Sequence, residues 1–433
     1  MLEWQVDTVL KEKNIESKKF TAFKVTVILL LLSLLACISI FASCGNPDEG
    51  LVSSSDAVSG TKYEGEPVDV SMSDAEMTIG LCTVHGVTAE GGSSITWSSS
   101  DSSIASVDKD GRITGSGLGE CDITAENEFG RSAVCHVTVK KSAFITIDDG
   151  PMKNCPQILR KLKKLDVKAT FFVVKTANVA KIRQIHEEGH CVGLHTLSHS
   201  FKKCYRSEYS YFSDLEELND IIEEYTGERT NILRFPGGTS NKVMDRLGMR
   251  RMVSGLDDLG YRAFDWNAST LDATPDPITA ETAAQNALKN CNHDVNIILM
   301  HDKNTTAKAI QIIVNRLTAR GYVFDTLDNY ADWSNRAETW YEKSVSRDVV
   351  PCTSLTLEGV PEKLTIDESF SLSVVINPDK STDYVRFVSD DPAIASVTLE
   401  GTVTGVKEGS TQIRAIASSG QEAVCQVTVV SEG

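Results

Sequence analysis

Two separated stretches of this chain repeat each other without a gap. Residues 97–139 match residues 387–429 at a constant offset of 290 positions, and 19 of the 43 aligned residues are identical. Each copy consists of short runs that alternate apolar and polar residues, separated by Gly and Asp turns, which is typical of a small antiparallel β-sandwich. We therefore expect a multidomain chain with two small all-β sandwiches, at 67–140 and 350–431, on either side of a different central segment.

The central segment has a different hydrophobic period. Seven short apolar runs, beginning with FITID at residue 144, alternate with stretches of helical periodicity such as CPQILRKLKKL. The alternation predicts seven βα units and a mostly parallel sheet or barrel over residues 142–333. In such folds the C-terminal ends of the strands share one rim, so polar residues at strand ends are expected to meet there. These residues are Asp148, Asp149, His195, Arg234, Asp265 and His301, with His199 in the loop after His195.

The pair Asp148-Asp149 stands at the end of an apolar strand, where two adjacent carboxylates repel each other and lose hydration. Asp-Asp-Gly-Pro is good turn chemistry, so a simple turn is one explanation. The other is a divalent cation, because His195, His199 and one carboxylate would make a Zn²⁺ site with room for water. Cys191 is either a rival ligand or a core thiol.

These residue types suit the hydrolysis of an amide or an ester. One aspartate can ligate a cation while the other accepts a proton from bound water, whose pKa the cation lowers. His301 can protonate a leaving group, and Arg234 can pair with a carboxylate and hold it ionised.

Five short motifs occur in order at the strand ends: TIDDGP at 146–151, HTLSH at 195–199, RFPGG at 234–238, FDWN at 264–267 and LMH at 299–301. They resemble the five motifs of NodB-type polysaccharide deacetylases, carbohydrate esterase family four. The resemblance implies a distorted (β/α) barrel and metal-dependent removal of N- or O-acetyl groups from sugars. The ligand set of two imidazoles and one carboxylate makes Zn²⁺ the first choice of metal, with Co²⁺ or another divalent ion as alternatives. The two outer segments resemble the bacterial Ig-like group 2 module, which implies spacers or contacts with cell wall or glycan.

The same resemblance implies a role for each site residue. The implied metal ligands are Asp149, His195 and His199, the implied general base and general acid are Asp148 and His301, and the implied oxyanion and substrate contacts are Gly237 and Trp266. Arg234 would orient the base, and Asp265 would tune the partner network of Arg234 or of His301. The family often has an aromatic residue where this chain has Gly237, so the resemblance says less about the substrate than about the chemistry.

The N-terminal part predicts a position outside the cell membrane for everything that follows. Residues 25–43 contain an uncharged apolar run long enough for one bilayer crossing, and Lys18, Lys19 and Lys24 precede it. We expect a cytosolic segment at 1–24, a transmembrane signal anchor at 25–43 and a flexible spacer at 44–66. The alternative is a lipoprotein acylated at Cys44. The net charge of −17 and the pI near 5.0 argue against nucleic acid as a partner.

The sequence thus predicts an extracellular, membrane-anchored deacetylase acting on an acetylated polysaccharide. Peptidoglycan N-acetylglucosamine is the first choice of substrate, and chitin-type oligomers, exopolysaccharide and acetylated xylan stay open. Two other functions are considered: a surface glycan-binding or adhesion protein with an inactive barrel, and an amidase acting on another amide. Activity is expected to reside wholly in 142–333, with the Ig-like modules affecting only reach or targeting.

Other histidines and the cysteines have simpler explanations. His186, His190 and His293 match no motif and are expected to be surface or structural residues. Nine cysteines follow Cys44 without paired spacing, which favours buried thiols with one or two bridges.

Overall fold

The computed structural model describes residues 68–274, 276–331 and 349–431. The predicted anchor at 25–43, Cys44 and the spacer lie outside these residues. Within the described part of the chain, none of the helices combines the length and the apolar character that a membrane crossing needs. By their contacts, the described residues belong to one compact unit.

The first sandwich, which we call module 1, is built from nine strands. They are β1 (Ser71–Met72), β2 (Glu76–Gly80), β3 (Val84–Gly86), β4 (Ala89–Glu90), β5 (Ile95–Ser99), β6 (Ala105–Val107), β7 (Arg112–Gly115), β8 (Gly119–Asn127) and β9 (Ser132–Gly150). Alternate residues of β8 are buried, including Cys121, Ile123 and Ala125, as expected where one face of a sheet covers a core. β8 pairs with β5 and β9, and β9 also takes β2 as a parallel neighbour.

The central segment continues with seven further strands. They are β10 (Thr170–Val173), β11 (Cys191–Leu194), β12 (Ile232–Leu233), β13 (Arg262–Ala263), β14 (Ala268–Ser269), β15 (Val295–His301) and β16 (Tyr322–Asp325). The sheet runs in the order β13-β12-β11-β10-β9-β15-β14, with β16 also beside β9, and these pairings are parallel. This confirms the parallel (β/α) architecture.

Helices follow most of these strands. They are α1 (Cys155–Leu165), α2 (Lys181–Glu187), α3 (Phe201–Cys204), α4 (Glu208–Thr226), α5 (Arg246–Asp258), α6 (Ala280–Asn290) and α7 (Thr306–Thr318), and a 3₁₀ turn covers Leu327–Asn329. In α1, buried residues recur at helical spacing at Cys155, Ile158, Leu159 and Leu162. The Ser207 side chain caps the start of α4, and Gly227 ends it in the left-handed conformation.

The barrel is less regular than seven βα units. β13 and β14 are joined by only four residues, Phe264 to Asn267, which leaves no room for a helix. Among the described strands no pairing joins β13 to β14, so they are the two edges of an open barrel. The β14 strand is an eighth strand that the sequence pattern does not reveal, because two residues carry no measurable periodicity.

The second sandwich, module 2, repeats the first. Its strands are β17 (Ser354–Glu358), β18 (Leu364–Thr365), β19 (Ser369–Ser371), β20 (Ser373–Asn377), β21 (Val385–Ser389), β22 (Ala395–Val397), β23 (Thr402–Gly405), β24 (Gly409–Ala417) and β25 (Glu422–Val430). The arrangement of β21, β24 and β25 reproduces that of β5, β8 and β9. The nine cysteines that the structure describes are free thiols, so the expected bridges are absent from this part of the chain.

No linker separates module 1 from the barrel within the described residues. β9 is a single strand of 19 residues that pairs with β2 over 136–140 and with β16 over 141–144, and it carries the two aspartates just before its last residue, Gly150. The Ser142 hydroxyl donates to the Leu81 carbonyl at 2.5 Å, and the Ala331 N–H donates to the Cys82 carbonyl at 2.8 Å. The boundary predicted at 140–142 therefore falls inside a continuous strand.

Candidate metal centre and catalytic cleft

The polar strand ends meet at one rim, as predicted from the parallel arrangement. His301 at the end of β15 is the register partner of Asp148 near the end of β9. Phe172 in β10 pairs with Asp148 on the other side, and Val173 pairs with Leu194, the residue before His195. The side chains described below extend from these neighbouring strands.

Three of these side chains form a candidate metal cluster. Asp149 Oδ1 lies 3.6 Å from His195 Nε2 and 3.4 Å from His199 Nε2. The three ligand atoms all lie within 4.8 Å of one another. Asp149 and His199 adopt the left-handed backbone conformation, with φ of 65° and 52°. Non-glycine residues in this conformation carry strain that the surrounding structure must support, which is common at functional sites.

The hydrogen bonds within the cluster fit a cation. The His195 Nδ1–H donates to the Arg234 carbonyl at 2.8 Å, so its Nε2 lone pair faces Asp149. Burial lowers the pKa of His195, which keeps the imidazole neutral as a metal ligand requires. Asp149 Oδ1 is buried without a hydrogen-bond partner, which is costly for a carboxylate oxygen unless a cation meets it. These residues therefore fit a divalent metal ion.

Asp148 is held by a buried arginine. Arg234 is fully buried, and its Nη1 donates to Asp148 Oδ1 at 2.9 Å and to the Thr146 hydroxyl at 2.6 Å. Its Nε donates to the Phe264 carbonyl at 2.8 Å, and its guanidinium lies 4.3 Å from the Phe172 ring centroid. Burial raises the pKa of Asp148, while the charges of Arg234 and His301 oppose that rise.

His301 has a carboxylate partner that the sequence analysis missed. Its Nδ1 lies 2.7 Å from Asp272 Oδ1, and its main-chain N–H donates to Asp272 Oδ2 at 3.0 Å. Burial lowers the pKa of His301, but the Asp272 hydrogen bond and the charge of Asp148 outweigh it, so the pKa is raised. The sequence does show an acidic residue, Asp272, shortly after the FDWN motif. Its position beside His301 depends on strand β14, which the sequence pattern does not predict.

Asp265 contacts both Arg234 and the loop that begins at Thr239. Its carboxylate accepts hydrogen bonds from the Thr239 N–H at 3.1 Å and the Thr239 hydroxyl at 2.5 Å. Its main-chain carbonyl accepts a hydrogen bond from Arg234 Nη2 at 3.2 Å. Burial lowers the pKa of Arg234, and the charges of Asp148 and Asp265 oppose that fall. Of the two expectations for Asp265, these contacts favour the tuning of Arg234, whereas the carboxylate beside His301 is that of Asp272. The Asp265 side chain points toward Gly238 and the loop that follows it. A Cβ added to Gly238 would lie 3.1 Å from Asp265 Oδ1.

A small apolar pocket adjoins His301. It has a volume of about 250 Å³ and is lined by Trp266, Ser269, Leu271, Ala273, Thr274, Leu299 and His301. Gly237 has a φ of 74°, and a Cβ added to it would lie 3.3 Å from the Phe201 ring. The loop that carries Gly237 therefore passes close to Phe201, which comes shortly after the metal ligand His199 in the chain. Trp266 lines the pocket beside His301, and its contact with substrate stays a prediction.

Cys191, which the sequence left open as a rival ligand or a core thiol, and His190 both lie away from this cleft. Cys191 is buried in the barrel interior with Phe144 and Phe172, outside the metal cluster. The His190 ring is 5% exposed and accepts a hydrogen bond from the Ala169 N–H at 3.2 Å. His190 also borders a larger cavity of about 670 Å³ at the N-terminal ends of β11 and β12, which contains none of the predicted catalytic residues.

Comparisons with known families agree with this geometry. Residues 136–253 match the family described as polysaccharide deacetylase, and residues 82–137 and 356–428 match the bacterial Ig-like domain of group 2. A peptidoglycan-N-acetylglucosamine deacetylase of Bacillus cereus is 32% identical over 195 residues, which are 43% of this chain and 69% of that protein. A chitin deacetylase of Colletotrichum lindemuthianum is 28% identical over 213 residues, 46% of this chain and 82% of that protein.

A solved structure is also similar. The catalytic domain of a peptidoglycan N-acetylglucosamine deacetylase from Eubacterium rectale is 38% identical, with a TM-score of 0.42, over 43% of this chain and 88% of that chain. Three findings indicate the same family. They are the family match, the share of the Bacillus cereus relative that this chain covers, and the five motifs. The chain belongs to the polysaccharide deacetylase family and carries two bacterial Ig-like domains of group 2.

Proposed function

We propose that this chain is a Zn²⁺-dependent deacetylase of peptidoglycan N-acetylglucosamine, held at the outer face of the cell membrane. Its family membership makes it a polysaccharide deacetylase that needs a metal; the metal identity, the substrate and the location are the proposed part. The proposal rests on three groups of side chains that meet at one rim of the barrel. They are the cluster Asp149-His195-His199, the pair Asp148-Arg234 and the pair His301-Asp272.

The metal would be held by Asp149, His195 and His199. Two imidazoles and one carboxylate, with space for water, form a ligand set that zinc accepts readily in catalytic sites, and Co²⁺ accepts the same set. When bound, the ion polarises the acetyl carbonyl and lowers the pKa of a coordinated water.

Asp148 would act as the general base. Arg234 fixes its Oδ1, which leaves Oδ2 to accept a proton, and Oδ2 lies 3.7 Å from His195 Nε2 at the metal cluster. Water adds to the acetyl carbonyl carbon as its proton passes to Asp148. The Gly237 N–H is the proposed donor to the oxyanion that forms, since such donors stabilise the developing charge.

His301 would act as the general acid. It donates its proton to the sugar nitrogen as the carbon–nitrogen bond breaks, which releases acetate and a free amine. Asp272 stabilises the charged imidazolium and orients the ring through Nδ1, so that Nε2 faces the cleft. The apolar pocket beside His301 has the size and lining to take the acetyl methyl group.

The substrate proposal follows from the relatives and the predicted anchor. The Bacillus cereus relative is named for peptidoglycan N-acetylglucosamine, and an anchored enzyme would lie next to that polymer. Chitin-type oligomers, exopolysaccharide and acetylated xylan are the competing substrates. The complete set of site residues argues against an adhesion protein with an inactive barrel.

Acetate release from purified peptidoglycan, chitin oligomers and acetylated xylan tests this proposal, with and without a chelator. We expect the highest kcat/KM on peptidoglycan and loss of activity after chelation that Zn²⁺ restores. Preference for another glycan would overturn the substrate, and turnover that survives complete metal removal would overturn the metal mechanism.

A further inference from the structure

One residue of module 2 belongs to the core of the barrel. Tyr384 is fully buried and clusters with the residues that fill the space between strands and helices of the barrel. Its ring centroid lies 5.2 Å from that of Phe212 in α4. On α5, a Cβ added to Gly255 would lie 2.6 Å from Tyr384 Cγ, so this glycine is what lets the ring approach the helix.

Polar contacts hold module 2 in the same place. Arg251 of α5 donates from Nε to the Ser381 carbonyl and from Nη2 to the Asp379 carbonyl, both at 3.0 Å. The hydroxyl oxygens of Ser254 and Ser418 lie 3.0 Å apart. Because α5 of the barrel binds main-chain carbonyls of module 2 and also packs against the buried Tyr384 ring, module 2 is attached rigidly rather than flexibly.

From Tyr384 a continuous series of ring contacts leads to the metal cluster. We call it the aromatic column, and it consists of Tyr384, Phe212, Tyr211, Tyr205, Phe201 and His199. The successive centroid distances from Phe212 onward are 5.7, 5.7, 5.7 and 5.3 Å. The column therefore connects a residue of module 2 to a proposed metal ligand.

The column also supports the second loop of the cleft. The Tyr205 hydroxyl donates to the Pro236 carbonyl at 2.7 Å, immediately before Gly237. The Tyr211 ring stacks on Phe235 at 4.8 Å between centroids. The loop that carries His199 and the loop that carries Gly237 thus rest on the same rings.

His199 needs such support. Its φ of 52° and that of Thr196, 66°, lie in the left-handed region, which is strained for residues other than glycine and persists only where packing imposes it. A loop without that packing would relax and carry the His199 imidazole away from Asp149.

We infer that module 2 is part of the support of the active site, and that Tyr384 is a positioning residue which fixes His199 through the aromatic column. The inference rests on the proposed metal site. It changes the expected role of module 2 from reach or targeting to the assembly of the metal centre.

Zinc affinity of the full chain, measured by competition with a chromophoric chelator, tests the inference on Tyr384→Ala. The removed ring should weaken zinc binding by about 10- to 100-fold, the range typical when a group that orients a ligand is lost. Tyr384→Phe should bind zinc like the parent, because the Tyr384 hydroxyl has no hydrogen-bond partner to lose. Parent-like affinity in Tyr384→Ala would overturn the inference.

A matched control separates positioning from general destabilisation. Val403→Ala removes a fully buried side chain from the separate core of module 2. It should lower the Tm and leave zinc affinity unchanged; a loss equal to that of Tyr384→Ala would overturn the inference. If Tyr384→Ala does not fold, Gly255→Ala displaces the Tyr384 ring from the barrel side and should weaken zinc binding to a similar extent. Parent-like zinc affinity in Gly255→Ala would also overturn the inference.

His199→Ala distinguishes failure of the inference from failure of the proposed metal site. Loss of zinc in His199→Ala together with parent-like affinity in Tyr384→Ala would reject only the positioning role. Unchanged zinc affinity in His199→Ala would reject the metal site and the inference with it.

Discussion

The Nδ1 atom of His301 lies 2.7 Å from Asp272 Oδ1, and the same carboxylate accepts the main-chain N–H of His301. One side chain thus fixes both the ring and the strand end that carries it. Because a neighbouring carboxylate favours the charged imidazolium, this pair keeps His301 protonated to a higher pH than an isolated histidine.

The pH profile of Asp272→Asn should show this effect. The general acid must be protonated, so activity falls as pH rises through the pKa of His301. Removing the carboxylate lowers that pKa, and the alkaline limb of kcat/KM should move to lower pH. Asp265→Asn is the matched control, since the Asp265 carboxylate bonds Thr239 and not His301, and its limb should stay in place. An unmoved limb in Asp272→Asn would reject His301 as the acid that the profile reports.

Asp148→Asn should retain metal and lose most turnover. Asn is nearly isosteric and can still accept the Arg234 hydrogen bond, but it cannot take a proton from water. Loss of a general base lowers kcat by about 100- to 10,000-fold. Metal content by elemental analysis and kcat for acetate release measure the two effects separately. Parent-like turnover would show that another group is the base.

His195→Ala should lose the metal. His195 contributes the buried imidazole of the cluster, and its Nε2 is directed at Asp149 by the hydrogen bond from Nδ1. Elemental analysis of the purified variant should find less than stoichiometric zinc, whereas the parent is expected to bind one ion. Cys191→Ser is a suitable control, because Cys191 lies outside the cluster and its replacement should leave the metal content unchanged.

His190 should make the fold sensitive to acid. Burial lowers its pKa to about 4 in the folded state, against about 6.5 when unfolded, so the unfolded chain binds the proton more readily. The stabilisation is present above pH 6.5 and is lost as pH falls toward 4, by roughly 2 kcal/mol between pH 7.5 and pH 5. Urea unfolding at both pH values measures it. In His190→Asn the decrease in free energy of unfolding over this interval should be smaller by that amount.

The isolated segment 142–333 should be less stable than the full chain. Sequence reasoning predicts that this segment is self-sufficient, but the cut would divide β9, remove the Leu81 acceptor of Ser142 and expose the site filled by Tyr384. Loss of a fully buried aromatic side chain alone costs about 3–5 kcal/mol. Thermal unfolding of both proteins tests this, and an equal Tm would show that the barrel is independent of its modules.

The sequence predicted those parts of the site that depend on strand ends. Asp148, His195, Arg234 and His301 each follow a recognisable apolar run, and parallel strands must bring such ends together. Asp272 escaped notice because it follows β14, whose two residues have no periodicity. The direction of the Asp265 side chain depends on the tight β13–β14 connection, which no local pattern encodes.

The domain organisation could likewise be predicted from the sequence only in part. The repeat at 97–139 and 387–429 revealed both sandwiches, because each repeats the alternation and turns of an antiparallel sheet. The attachment of module 2 rests on Tyr384 and Gly255, which are distant in sequence and unremarkable as residue types. Contacts of this kind arise only when the whole chain has folded.

The continuous strand β9 has a mechanical consequence. Its N-terminal half is hydrogen-bonded within module 1, and its C-terminal end carries Asp148 and Asp149. A pull on module 1 would act along the same backbone that places the two carboxylates. The lateral hydrogen bonds of β15 and β10 would take that load in shear, many bonds at once. The direction in which the cleft points would be set by the orientation of module 1, with no joint between them to swivel.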